Sequence, residues 1–450
     1  MTIRADESPW APPPHAHLWP DTARVDGAGR LWLGGVAAAR LTGEFGTPLY
    51  VYDEATIRAR CRAFRDAFTG RWLASAVAYA GKAYLSPALC HILLDEGIEL
   101  DAVSAGEVGL AVASSYPAER IHLHGNYKPV AELAAALDAG VGRVVVDSLE
   151  ELERVESLAR ERGRRAAIWL RLNPDVETET HAAVRTGHAG SKFGLDMAAV
   201  DAAARRAAAS PWLELVGLHA HAGSQLLDVR PAVRVTAFLC TAAARSRDTH
   251  GLAVREISPG GGLGVAYTPG EAPPTVEEYA EAVTGALRAG VARHGLEPPR
   301  LVVEPGRAIV ARAGVALYTV GPRKRAPDGT TLVAVDGGMG DNPRPALYGA
   351  RYHAALAERM TAPAAERARI VGRYCESGDV LVEEMMLPLA RAGETLAIPV
   401  SGAYQLAMAS NYNLAPRPAV VFVADGRARL VRRRETLDDL LRAEVMDRTD

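Results

Sequence analysis

The chain has 450 residues, 48% hydrophobic and 23% charged, with a formal net charge of −3 at pH 7. That length and apolar content allow a large core divided into two domains, and the near-neutral balance without a basic stripe argues against nucleic acid or an acidic membrane surface as partner. Four widely spaced cysteines (Cys61, Cys90, Cys240, Cys375), an opening stretch without a signal-like apolar core and no apolar run of bilayer length predict a reduced, soluble, cytoplasmic protein.

Residues 1–46 are charged and proline-rich at first, then carry RLWLGGV, a strand expected to add to a β domain elsewhere in the chain. From 47 to 314 one pattern repeats: a short apolar strand, a polar or glycine-rich end, then an amphipathic helix that stops at glycine. The strand ends run AVAYAGK, IELDAVSAGE, RIHLHGN, RVVVDS, AIWLRLNP, LVGLHAHAGSQ, REISPGGGLG and RLVVEPGR. Alternation of this kind predicts parallel strands with helical crossovers, and eight units close naturally into a (β/α)8 TIM barrel; an open doubly wound sheet is the alternative. Over 315–450 the texture changes to VALYTVGP, TTLVAVDGG, GDVLVEEMML, ETLAIPV, PAVVFVADG and ARLVRRRET, strands separated by turns, which predict an all-β, Greek-key-like C-terminal domain.

Of the 51 basic residues, 47 are arginine and only Lys82, Lys128, Lys192 and Lys324 are lysine. Arginine stays protonated and cannot serve as an amine nucleophile, so imine chemistry has few candidates. Lys82 stands at the first strand-to-helix corner, on the rim where barrel enzymes carry their active sites. The same rim receives Asp101, His124, Asn126, His219, His221, Ser224, the Gly260–Gly262 run, Glu304 and Arg307. Each has a bland reading alone, as a solvated lysine, a bonded core histidine or a turn glycine; their convergence on one rim points to function. A glycine run after a late barrel strand suits a phosphate, and a lysine imine, a phosphate cradle and a buried carboxylate together describe a pyridoxal 5′-phosphate site.

YAGKAY, HAHAGSQ, GGGLG, EPGRA, DNPRPALYGA, CESGD and GAYQLAMASNYN follow one another here in an order that resembles the diaminopimelate decarboxylases, within the alanine-racemase-like, fold type III pyridoxal-phosphate enzymes. The resemblance runs from Leu18 to Val445. It implies that Lys82 is the Schiff-base lysine, that His221 stacks on the cofactor ring and Ser224 lies near its phosphate, that Gly261 and Gly262 bind the phosphate, and that Glu304 pairs with the pyridine nitrogen. Arg307, Arg344 and Tyr348 match residues holding the far carboxylate of the substrate, with Arg307 also on the cofactor. Cys375, Glu376 and Ser377 match a loop that enters the neighbouring subunit's active site, with Cys375 as proton donor; Tyr404 matches a residue touching cofactor and substrate. The family therefore implies a homodimer with active sites at the subunit interface, in which Lys192 and Asp379 pair across that interface, and no metal.

The expected activity is decarboxylation of meso-2,6-diaminopimelate at its D-centre to L-lysine, the last step of lysine biosynthesis. Independently of the name, Arg307 and Arg344 favour a distal carboxylate through charge-assisted bonds and would repel the distal cation of ornithine or arginine. Relatives acting on those amino acids, on a carrier-tethered glutamyl group or on carboxynorspermidine are the alternatives, as are a regulatory homologue without catalysis and a metal-dependent barrel hydrolase. The last is disfavoured because His219 and His221 lack an evident third ligand. Ser258 and Pro259 replace the family's aspartate-containing run before the glycines, Ala222 a bulkier aliphatic residue and Tyr84 a frequent asparagine; none removes a group the chemistry needs.

Overall fold

The computed structural model describes residues 10–174 and 192–445, and the outer parts of the two terminal segments, 1–9 and 446–450, lie outside it. Two compact units divide the chain: Arg58–Val265 with Ala272–Ile309, and residues up to Ile57 with Ala266–Glu271 and Val310 onward.

The first unit is the expected barrel. Eight parallel strands close in sequence order: β1 Ser75–Ala80, β2 Glu99–Ala102, β3 Ile121–Leu123, β4 Arg143–Val146, β5 Ala166–Arg171, β6 Leu213–His219, β7 Glu256–Gly260 and β8 Arg300–Val303. β8 returns to β1 with Leu301 opposite Ser75 and Val303 opposite Val77. The helices start where the sequence supplies a side-chain oxygen: Ser86, Ser104, Ser148, Asp196 and Thr275 each accept a backbone N–H from the first turn that follows, satisfying a group the helix cannot. Inside the barrel Ala78, Val145, Trp169, Val216 and Val302 form the apolar filling. Trp169 fits because Gly217 faces it; a Cβ there would stand 2.6 Å from the indole nitrogen, which instead donates to Glu256 at 2.7 Å. Arg143 and Arg300 neutralise Glu256 at the opposite end of the strands from the functional rim.

The second unit is mostly β. Its main sheet runs Val380–Leu387, Glu366–Val371, Thr331–Val335, Gly314–Arg325, Leu49–Asp53, Ala419–Ala424 and Arg427–Arg432, with Thr395–Ile398 pairing both Gly314–Arg325 and Ala355–Leu356. A small sheet of Arg24–Val25, Leu31–Leu33 and Val36–Ala37 contains the strand expected in RLWLGGV. The division differs from the expected boundaries at 46/47 and 314/315. LYVYD followed by a helix has the texture of a barrel unit, yet Leu49–Asp53 pairs antiparallel with Gly314–Arg325 and parallel with Ala419–Ala424, buried on both faces. Glu366–Val371 was not expected as a strand; its ERARIV composition carries helix formers, and pairing on both sides overrides them.

Candidate active site

The barrel gathers a second group of titratable side chains at the C-terminal strand ends. Lys82 sits in the single 3-10 turn Gly81–Ala83 directly after β1 and is exposed on that rim, the position expected of it. Asp101 lies near the end of β2, His124 follows β3, His219 ends β6 and Glu304 follows β8.

Glu304 is the centre of this group. One carboxylate oxygen lies 3.0 Å from His219 Nε2, while the other accepts the hydroxyl of Ser258 at 2.7 Å and lies 3.7 Å from His124 Nε2. Burial alone would raise its pKa, but His219, His124 and the two hydrogen bonds hold it well below the usual carboxylate range. Asp101 goes the other way: burial first, then repulsion from Glu304, pushes it well above its ordinary value. Two acids on one rim are thus pushed apart, Asp101 toward the protonated form and Glu304 toward the ionised form. His124, His219 and His221 are all driven toward the neutral form, chiefly by loss of water and, for His221, by Lys82 and Arg171.

The glycine run is packed as tightly as its composition demands. A Cβ on Gly261 would lie 1.9 Å from the Glu304 carbonyl oxygen, one on Gly262 2.3 Å from the Gly223 carbonyl, and one on Gly260 2.5 Å from His221 Nδ1. Hence the His221 ring lies directly against the run. Gln225, in the same HAGSQ turn, ties itself to the backbone of Val265 beyond the run at 2.6 Å. Arg307 donates to Ser224 Oγ at 3.0 Å, joining EPGR to HAGSQ as the motifs suggested. Ser258, noted above as a departure, both donates to Glu304 and accepts the Gly260 N–H at 3.2 Å, so it is an integral support rather than a gap.

Lysine amine, ionised carboxylate and side-chain-free backbone on one rim fit pyridoxal phosphate. The residues that reading the sequence left without a role are His124, His219, Ser258 and Arg171; the last is buried, 3.7 Å from Asp147 and with its guanidinium 4.2 Å from the Phe193 ring centre. Their signal was present as polar residues at strand ends, but only the closed barrel shows that His124, His219 and Ser258 surround one carboxylate. Atoms of His124, His219 and Glu304, a set that leaves out His221, all lie within 4.8 Å of one another.

In the β unit, Arg344 opens the short helix Arg344–Tyr348 and is buried, with Nη1 donating to the Tyr352 hydroxyl and the guanidinium 4.7 Å from the Tyr267 ring centre. Tyr348 is half-buried at that helix's end. Cys375, Glu376 and Ser377 form an exposed turn; Cys375 N–H donates to Asn413 at 3.2 Å and Glu376 accepts the Tyr412 hydroxyl. Tyr404 adopts a left-handed backbone, φ 59°, and is half-buried. The Asp379 carboxylate is buried and accepts the N–H groups of Met339 at 2.6 Å and Tyr374 at 2.7 Å, so it braces the CESGD turn, and Lys192 sits 5.0 Å from the Phe193 ring centre.

Residues 54–311 match the family described as pyridoxal-dependent decarboxylase, pyridoxal binding domain. Diaminopimelate decarboxylase from Bacillus subtilis is 42% identical over 430 residues, covering 95% of this chain and 98% of that protein. The enzyme of that name from Actinosynnema pretiosum is 46% identical, covering 95% of each. Among solved structures, diaminopimelate decarboxylase from M. jannaschii in co-complex with L-lysine superposes with a TM-score of 0.88 at 34% identity, over 95% of this chain and 98% of that one. The chain belongs to the diaminopimelate decarboxylase family of pyridoxal-dependent decarboxylases.

Proposed function

We propose that the protein removes carbon dioxide from the D-centre of meso-2,6-diaminopimelate and releases L-lysine, as the last step of lysine biosynthesis, in a cytoplasmic homodimer whose CESGD turn serves the partner's site. The observation that carries this reading is Arg344, a buried guanidinium in the DNPRPALYGA motif that is held by phenols. A cation so placed attracts a distal carboxylate and repels a distal ammonium.

Pyridoxal phosphate, when bound, supplies a protonated pyridine ring that takes up the electron pair left by the departing carboxylate. Lys82 provides the amine that anchors the cofactor aldehyde. Glu304, ionised by its surroundings, holds a proton on the ring nitrogen. His221, kept neutral, offers an apolar face to the ring without competing for that proton. Gly261, Gly262, Ser224 and Arg307 hold the phosphate, and Arg307 also faces the substrate. Arg344 and Tyr348 orient the distal carboxylate, Glu376 and Ser377 take the second amino group, and Tyr404 touches both cofactor and substrate. Cys375 returns the proton to the carbon that has lost its carboxylate.

Carbon dioxide release measured in parallel on meso-diaminopimelate, ornithine, arginine and glutamate tests the reading, with release from the first expected to dominate. Lys82→Ala is expected to lose both turnover and the visible absorbance of bound cofactor; normal activity in that variant refutes the assignment. The His124–His219–Glu304 donor set favours one competitor, a metal-dependent barrel enzyme. Full activity after exhaustive chelation, with cofactor absorbance retained, removes it.

A further inference from the structure

Tyr267 lies a few residues beyond the glycine run, in Ala266–Glu271, a segment that clusters with the β unit although the chain on either side belongs to the barrel. The segment is held in shape by Glu271, whose carboxylate accepts the N–H groups of Tyr267 at 2.6 Å and Thr268 at 3.2 Å. Tyr267 thereby meets Tyr352 edge-on, ring centres 5.3 Å apart, and the guanidinium of Arg344 lies against both rings, 4.7 and 5.6 Å from their centres. Arg344 is 6% exposed, and among the described residues no carboxylate pairs with it. By contrast the buried Arg171 lies 3.7 Å from Asp147, and the half-buried Arg143 pairs with Glu256 at 2.7 Å. The two phenols instead favour the charged form without cancelling it.

An arginine side chain has many rotamers, and a free one would follow carboxylates at several depths. Clasped between ring faces and bonded to a hydroxyl, it presents its donors at one depth. We propose that Tyr267 and Tyr352 are positioning residues that fix the Arg344 guanidinium and thereby set the chain length of the dicarboxylate the enzyme accepts. The inference rests on the reading of Arg344 as partner of the distal carboxylate.

The test uses holoenzyme with meso-diaminopimelate and with diamino-dicarboxylates one methylene shorter and one longer. Tyr267→Leu and Tyr352→Phe are expected to raise KM for diaminopimelate roughly 3- to 30-fold, the range of one lost cation–π or hydrogen-bond contact, with kcat within about 2-fold. Discrimination against the two homologues narrows in step. Tyr267→Phe keeps the ring but loses the hydroxyl contact to Arg344, and its KM is expected to fall between those of wild type and Tyr267→Leu. L-lysine keeps the distal carboxylate, and its binding, titrated through the cofactor absorbance, is expected to weaken in the tyrosine variants as KM rises, whereas cadaverine, which has no carboxylate, is expected to bind every variant alike. Should Arg344→Ala leave KM unchanged, the distal-carboxylate reading fails and this inference with it. Should Arg344→Ala raise KM while the tyrosine variants behave as wild type, the inference alone is wrong. Weakened cadaverine binding in parallel with lost kcat would likewise overturn it, since that pattern reports only a damaged fold.

Discussion

Asp341→Asn is expected to change how stability of the β unit depends on pH. Asp341 is 1% exposed, accepts the hydroxyls of Tyr318 at 2.6 Å and Tyr50 at 3.0 Å and the N–H of Gly338 at 2.9 Å, yet burial pushes its carboxyl up to about 6 from 3.8. The folded state therefore prefers the protonated acid. The stabilisation is complete below the unfolded value and is lost as pH rises through about 6. A tenfold change in proton affinity corresponds to about 1.4 kcal/mol, so roughly 3 kcal/mol separates the two limits and about 1.4 kcal/mol of it falls between pH 5 and pH 8. An asparagine cannot ionise, and Tyr50 retains Gln405 Oε1 as a second acceptor at 2.9 Å. Urea unfolding of both proteins from pH 5 to pH 8 is expected to show the variant gaining about 1.4 kcal/mol relative to wild type over that span. Parallel curves would refute the argument, because every other titrating group is common to both proteins.

Ser258→Ala removes a buried hydroxyl donor from an ionised carboxylate, a contact of about 1.5–3 kcal/mol, and is expected to weaken pyridoxal phosphate binding about tenfold or more in an absorbance titration; unchanged affinity would deny Glu304 its role. Lys128→Met leaves Glu151 buried without the ammonium 2.5 Å away and is expected to cost the barrel about 3–5 kcal/mol in urea unfolding, with Lys128→Met/Glu151→Leu recovering most of it. Gly261→Ala drives a methyl into the Glu304 carbonyl, where only backbone can give way, so both the thermal midpoint and cofactor retention are expected to fall.

The barrel was legible because its information is local: each strand is an apolar run of a few residues, many helices announce their start with Ser, Asp or Thr, and the polar strand ends point to one rim by topology alone. Lys82, His221 and Glu304 were readable for the same reason. What was not readable is pairing between distant segments. Nothing within LYVYD says that its partners are Gly314–Arg325 and Ala419–Ala424, and nothing in ERARIV favours a strand until two neighbours supply hydrogen bonds. The inward turn of Asp379, the phenols around Arg344 and the histidines around Glu304 belong to the same class, since each depends on residues brought together only by the finished fold.

The place of Leu49–Asp53 in the middle of its sheet has a consequence for biosynthesis. This segment leaves the ribosome long before either of its flanking strands, Gly314–Arg325 and Ala419–Ala424. The parallel units of the barrel are completed in between, from neighbours already available. Long-range closure is slow, so the nascent chain carries an unpaired apolar strand until those partners emerge. Ribosome-bound chains whose emerged part ends before Gly314 should therefore protect barrel amides from hydrogen exchange while those of Leu49–Asp53 stay open.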